Sequence, residues 1–174
     1  MSSAYHHVGV RVTDLEAASR FYSAALGARV LVKPYVVTGE VADQITGCSG
    51  ATMHMCQLGF DDGFVELFQF ETSVPPPRQP VPYVHQSVLH FGVRVNDVPA
   101  ALDRVERHGG TRVFSPRRLG EWTYCYCRDP DGNVIELADA GMDQIVALVG
   151  AREDGLTAVV TGSDKRVDRN EHQQ

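Results

Sequence analysis

Tyr5 to Val12 alternates residue by residue. Val8, Val10 and Val12 fall on one side of an extended chain and His7, Gly9 and Arg11 on the other, which predicts a strand buried on one face. The period then lengthens to that of a helix. Leu15, Ala18, Tyr22, Ala25 and Leu26 share a stripe, and Gly27 is placed to end it. Thr13-Asp14-Leu15-Glu16 at the start fits a capping box, in which the Thr13 hydroxyl and the Glu16 carboxylate take up free amides. Further strands are expected at 29–37, 51–58 and 63–70, with Asp61-Asp62-Gly63 as the turn between the last two. The polar stretch 36–50 holds three glycines and reads as a loop.

The opening strand occurs twice. His90 to Asp97 repeats His7 to Asp14 at an offset of 83 residues, and 11 of the 24 positions from His7 to Val30 are identical in the second copy. Such self-similarity means two copies of one unit. The second copy reads in the same order: a strand over 89–95, then a helix with Val98, Ala101, Leu102 and Val105 as its buried stripe, then strands at 111–114, 122–128 and 133–138. Asn96 or Asp97 caps that helix, Pro99 is tolerated in its first turn, and Gly109-Gly110 ends it. Asp129-Pro130-Asp131-Gly132 is a tight turn. The fold class is therefore α+β, built from two tandem β-α-β-β-β modules. The expected limits are 1–70 for the first module, 71–87 for a linker carrying five prolines, 88–140 for the second module and 141–174 for a C-terminal extension. Within the extension, 144–149 is apolar enough for a short helix or strand, and 163–174 is a polar, mobile tail.

Composition narrows the class. A net charge of −6 over 174 residues argues against a nucleic-acid partner. No apolar run is long enough to cross a bilayer, and residues 1–5 carry no export signal. Cys48, Cys56, Cys125 and Cys127 match neither a disulfide framework nor a C-x-x-C motif, so reduced buried thiols in a cytoplasmic protein are expected. One-sided sheets leave open edges, and a homodimer is expected to cover them.

The two modules also end alike, in Val65-Glu66-Leu67 and Ile135-Glu136-Leu137. A carboxylate inside an apolar strand is out of place in a plain core. One such glutamate is explained by a solvent-facing sheet. Two glutamates and two histidines in matching places, His7, Glu66, His90 and Glu136, form a nitrogen and oxygen donor set suited to one divalent ion per site, whether Zn, Ni, Co, Mn or Fe. Arg11 and Arg94 share faces with the histidines and either hold an anionic group of a small-molecule substrate or lie at the surface. Trp122, Tyr124 and Tyr126 lie opposite Cys125 and Cys127, and Phe68 and Phe70 share the face of Glu66, as pocket lining or as aromatic packing. Arg117-Arg118 is a basic loop, and His54 and His85 have no evident partner.

These residues resemble the vicinal oxygen chelate superfamily. It contains glyoxalase I, methylmalonyl-CoA epimerase, extradiol dioxygenases, fosfomycin-resistance enzymes and bleomycin-binding proteins. The stretches that carry the resemblance are His7-Val-Gly-Val-Arg-Val, Phe21-Tyr22 with Leu26-Gly27, Val65-Glu-Leu, Leu89-His-Phe-Gly-Val, and Asp129-Pro-Asp-Gly-Asn-Val-Ile-Glu-Leu, within residues 5–138. The resemblance implies paired modules curling around a shared metal site, with ligands at His7, Glu66, His90 and Glu136. It also implies Glu136 as the proton-transferring base. Two histidines with two glutamates look most like glyoxalase I and the epimerases. The implied chemistry is proton transfer beside a carbonyl, of the lactoylglutathione-lyase or epimerase type. The alternatives are an Fe(II) extradiol-type dioxygenase on His7, His90 and Glu136, and a binding or resistance protein without turnover. Ala28 after Leu26-Gly27 and Leu89 before the second histidine depart from the glyoxalase I pattern.

Overall fold

The computed structural model describes residues 5–72, 83–86, 88–144 and 146. Most of the expected linker, part of the 144–149 segment and the whole 163–174 tail lie outside them. The first copy contributes β1 (His7–Arg11), α1 (Leu15–Leu26), β2 (Arg29–Thr38), α2 (Glu40–Thr46), β3 (Thr52–Gly59) and β4 (Phe64–Glu71). The second contributes β5 (Phe91–Arg94), α3 (Val98–Arg107), β6 (Thr111–Arg112), β7 (Arg117–Leu119), β8 (Trp122–Arg128) and β9 (Val134–Ala138). A single turn of 3₁₀ helix at Tyr83–His85 precedes the second copy.

Each copy makes one sheet, in the orders β1-β4-β3-β2 and β5-β9-β8-β6, with β7 also paired to β8. First and last strands of a copy lie side by side and parallel, which sets Gly9 opposite Glu66 and Gly92 opposite Glu136. The valine faces and helix stripes form one core that runs through both copies, and α1 packs on α3. Every residue of the two expected helix stripes is buried. His7, Glu66, His90 and Glu136 therefore belong to the faces turned away from that core.

Four local expectations are corrected. Asp14, not Thr13, caps α1: its carboxylate accepts the Ala17 amide at 2.9 Å, as Asp97 accepts Ala100 at 2.8 Å in the second copy. Thr13 bonds across the seam instead, its amide lying 2.9 Å from Asp131 Oδ1 and its hydroxyl donating to the same oxygen. The stretch read as a loop contains the end of β2 and the helix α2. Gly39 and Gly47 flank α2 with positive φ of 73° and 68°. Ala42 is fully buried in a second apolar cluster with Ala51, Met53 and Met55. Arg117 and Arg118 belong to a strand, not a loop, while β6 is cut to two residues. Finally, Cys48 is half-buried, whereas Cys56, Cys125 and Cys127 are buried free thiols.

The seam between the copies is unequal at its two ends. At one end the Asp129 turn is bound to the first copy. The Tyr22 hydroxyl donates to Asp129 Oδ2 at 3.0 Å, and Asn133 Nδ2 donates to the Arg11 carbonyl at 2.9 Å. Asp129 is itself wrapped by the amides of Asp131 and Asn133. At the other end Gly63 takes the place of Asn133 and has no side chain to give. The links there are an exposed Arg94–Asp62 pair at 3.2 Å, worth little in water, and a part-buried bond from Arg104 Nε to the Ala25 carbonyl at 3.2 Å. A crevice of about 640 Å³ opens beside it, lined by Phe60, Asp62, Phe91, Arg94 and Arg104 among others.

Candidate metal centre

Strand register brings the expected donors together in pairs. In the first copy His7 Nε2 lies 3.0 Å from Glu66 Oε2. The other carboxylate oxygen, Oε1, accepts from Gln57 Nε2 at 2.7 Å, because β3 sets Gln57 directly opposite Glu66. The far side of the His7 ring is also held, with His6 Nδ1 at 2.7 Å from His7 Nδ1. A second partner of this kind fixes the orientation of an imidazole ligand.

The second copy repeats the arrangement. His90 Nε2 lies 3.0 Å from Glu136 Oε2. Tyr126 stands opposite Glu136, where Gln57 stands in the first copy, and its hydroxyl donates to Oε2 at 3.3 Å. The Tyr126 ring meets His90 edge-on, with centroids 4.9 Å apart. His90 itself stands one residue ahead of β5.

The carboxylates differ in one respect. Both oxygens of Glu66 are engaged, whereas the contacts to Glu136 from His90 and Tyr126 converge on Oε2. Among the described residues Glu136 Oε1 has no hydrogen-bond partner.

The two pairs do not meet within one chain. Among the described residues, no group of three or more histidine, cysteine, aspartate or glutamate side chains is placed to hold a metal ion. The remaining candidates divide. Tyr124 and Tyr126 form a partly exposed aromatic wall with Phe114, at centroid separations of 5.8 and 5.4 Å. Trp122 opens the same strand, half-buried, opposite Leu119. Phe68 instead covers Gly9 and packs against the cluster under α2. Arg11 is exposed at the end of β1, and Arg94 is turned to Asp62 across the seam. His54 has a partner after all, Glu71 Oε1 at 2.9 Å. Gln57, His6 and Phe114 were not found from the sequence. Gln57 was the most accessible of them, as the repeat counterpart of Tyr126.

The model of the Glyoxalase/Bleomycin resistance protein/Dioxygenase superfamily matches residues 4–137. The chain belongs to this superfamily. A probable chloroplastic lactoylglutathione lyase of Arabidopsis thaliana is 25% identical over 138 residues, which cover 78% of this chain and 35% of that protein. The chain thus spans about a third of the length of that relative. A glyoxalase family protein from Bacillus cereus superimposes with a TM-score of 0.69 at 22% identity, over 77% of this chain and 91% of that one. A fosfomycin resistance protein from Mesorhizobium loti does so with a TM-score of 0.51 at 19% identity, over 84% and 100%. The fold is that of the superfamily, whose members typically bind a divalent metal. Among the described residues no helix is long and apolar enough to cross a membrane.

Proposed function

We propose that this chain is a divalent-metal-dependent enzyme of the glyoxalase kind, moving a proton at a carbon next to a carbonyl. The observation that carries the reading is the unequal hold on two repeat-equivalent carboxylates. Glu66 is fastened at both oxygens, as a purely supporting ligand would be. Glu136 is fastened at one and keeps Oε1 for a proton.

The residues fit a metal ion. Two imidazoles and two carboxylates are the donors that a borderline divalent cation takes. In each pair the histidine Nε2 and a carboxylate oxygen already converge, 3.0 Å apart, so both could serve one ion. His7, Glu66, His90 and Glu136 would hold it, and it would supply Lewis acidity that draws charge from a carbonyl and acidifies the adjacent C–H. The chain does the rest. Tyr126 and His90 hold Glu136 Oε2 in place, and Oε1 accepts the proton and returns it. Gln57 and His6 keep the first pair oriented.

Because one chain keeps its two pairs apart, the complete centre is proposed to form between two copies. His7 and Glu66 of one copy face His90 and Glu136 of the other in a homodimer. Val30, Leu31 and Val32, all exposed on the ten-residue edge strand β2, suit cover by a second copy. A twofold dimer would hold two such centres.

The test is metal analysis of the purified protein, followed by a screen of α-ketoaldehyde hemithioacetals and acyl-CoA esters in air and under nitrogen. Metal-dependent, oxygen-independent turnover is expected. Turnover that consumes oxygen would replace this reading with the dioxygenase one. Tight drug binding without metal or turnover would replace it with a resistance protein.

A further inference from the structure

The two modules share a plan, but their cups are not equally open. One step along from the glutamates, the facing residues across the first sheet are Arg11, Phe68, Met55 and Tyr35. Across the second sheet the same positions hold Arg94, Ala138, Tyr124 and Arg117. In the first cup Phe68 fills the space over Gly9, where a Cβ would stand 3.0 Å from its ring. Phe68, Met55 and Tyr35 are then packed with α2. In the second cup Ala138 replaces Phe68, and nothing among the described residues lies within 4 Å of a Cβ placed on Gly92. The strand segment β7 takes the place of the second half of β2, with Arg117 where Tyr35 stands, and only Gly120 and Glu121 join it to β8, so among the described residues the second cup has no counterpart of α2. The floor is therefore small, and the wall beyond it is Tyr124 with Phe114, the Arg117 guanidinium lying 5.4 Å over the Phe114 ring.

From this asymmetry we infer that the substrate body lies over the second module, and that it is a flat, aromatic or otherwise unsaturated group joined to the chelating carbonyl. A slot with a glycine and alanine floor and an aromatic wall takes a planar apolar group better than a chain or a sugar. Phe114 and Ala138 are then the specificity-determining residues, one by presence and one by smallness. The inference rests on the centre proposed above, from which it takes only the position of the chelating oxygens.

The experiment compares phenylglyoxylate with pyruvate. Both carry the same α-keto acid and differ in the ring. Binding is read from the fluorescence of Trp122, the one tryptophan of the chain, with and without cobalt(II), and cobalt(II) affinity is measured separately. In the wild type phenylglyoxylate should bind at least tenfold tighter than pyruvate. Ala138→Phe, which copies the Phe68 plug into the second cup, should bring the ratio close to one with cobalt(II) affinity unchanged. Phe114→Ala, a milder change should the first variant fail to fold, should lower the ratio several-fold. A ratio that persists in both variants overturns the inference, as does one that collapses in Phe68→Ala instead. If cobalt(II) does not bind, the metal-centre reading falls by itself. The ratio measured without metal still decides the cup, and no preference for phenylglyoxylate there overturns it.

Discussion

Tyr22 and Asp129 meet where water does not reach. Tyr22 sits on α1 in the first module and Asp129 at the end of β8 in the second, and the phenol donates to the carboxylate at 3.0 Å. Burial, then the neighbouring Asp129 charge, hold the phenol far above the ordinary tyrosine range, so it remains a donor. Removing only the hydroxyl, as in Tyr22→Phe, is expected to cost about 1 kcal/mol, since Asn133 still serves the same oxygen. Asp129→Ala strands the phenol and two turn amides and should cost about 3 kcal/mol. Urea unfolding midpoints at constant m decide this, and equal losses in the two variants would contradict it.

The same carboxylate should leave a mark on stability against pH. Burial raises the Asp129 carboxyl above its usual value of 3.8, and hydrogen bonds from Asn133 and Tyr22 only partly offset this. The folded protein therefore keeps the Asp129 proton to higher pH than the unfolded chain. Its contribution is present in full below about pH 3.9 and is lost as pH rises through the raised folded value. Asp129→Asn is neutral throughout and should remove that decline. Parallel stability–pH curves for the two proteins over this window would contradict the assignment.

Glu136→Gln preserves size and one oxygen donor but cannot take a proton. With an identified substrate, kcat should fall roughly 10²–10⁴-fold while much of the metal is retained. Glu66→Gln should cost less, because that carboxylate is only held, at both ends, by Gln57 and His7. Near-wild-type kcat in metal-loaded Glu136→Gln would remove this residue from the chemistry.

Mixing two inactive variants tests where the centre forms. His7→Ala and His90→Ala homodimers should each lack metal. Unfolded together and refolded, half of the dimers should pair one chain of each kind, and each of those regains one intact centre. About a quarter of wild-type metal should return. A centre made within one chain would return none.

Thiol chemistry should separate the cysteines. Burial pushes the Cys125 and Cys127 thiols up to about 12 and raises Cys56, while Cys48 is only half-buried. Iodoacetamide at neutral pH should label Cys48 first in the folded protein and the other three only in urea. Mass spectrometry of the labelled peptides gives the order.

Much of this was readable from the chain because two periods and one repeat were strong. Val8, Val10 and Val12, and the stripe Val98, Ala101, Leu102 and Val105, lie where alternation and helical spacing put them. The helix α2 was not readable. Seven residues give too little period, and its glycines, which look like a loop, flank it while Ala42 is held by Met53 and Met55 from a later strand. Gln57 carries no signal alone and matters only because register sets it against Glu66. That the two His–Glu pairs stand apart in one chain depends on how the copies pack, and no local pattern records that. The Thr13 reading failed because a partner 118 residues away, Asp131, competes for the hydroxyl.

The seam described between the copies is tied by buried bonds at one end and mainly by exposed charges at the other. Tyr22, Asp129 and Asn133 tie one end out of reach of water, while the other relies on the exposed Arg94–Asp62 pair and the Arg104–Ala25 bond beside the crevice. Any opening between the copies is therefore expected to begin at the Arg94 end, where exposed charges hold them. Neither His–Glu pair spans the seam, so an opening there would not by itself separate the members of either pair.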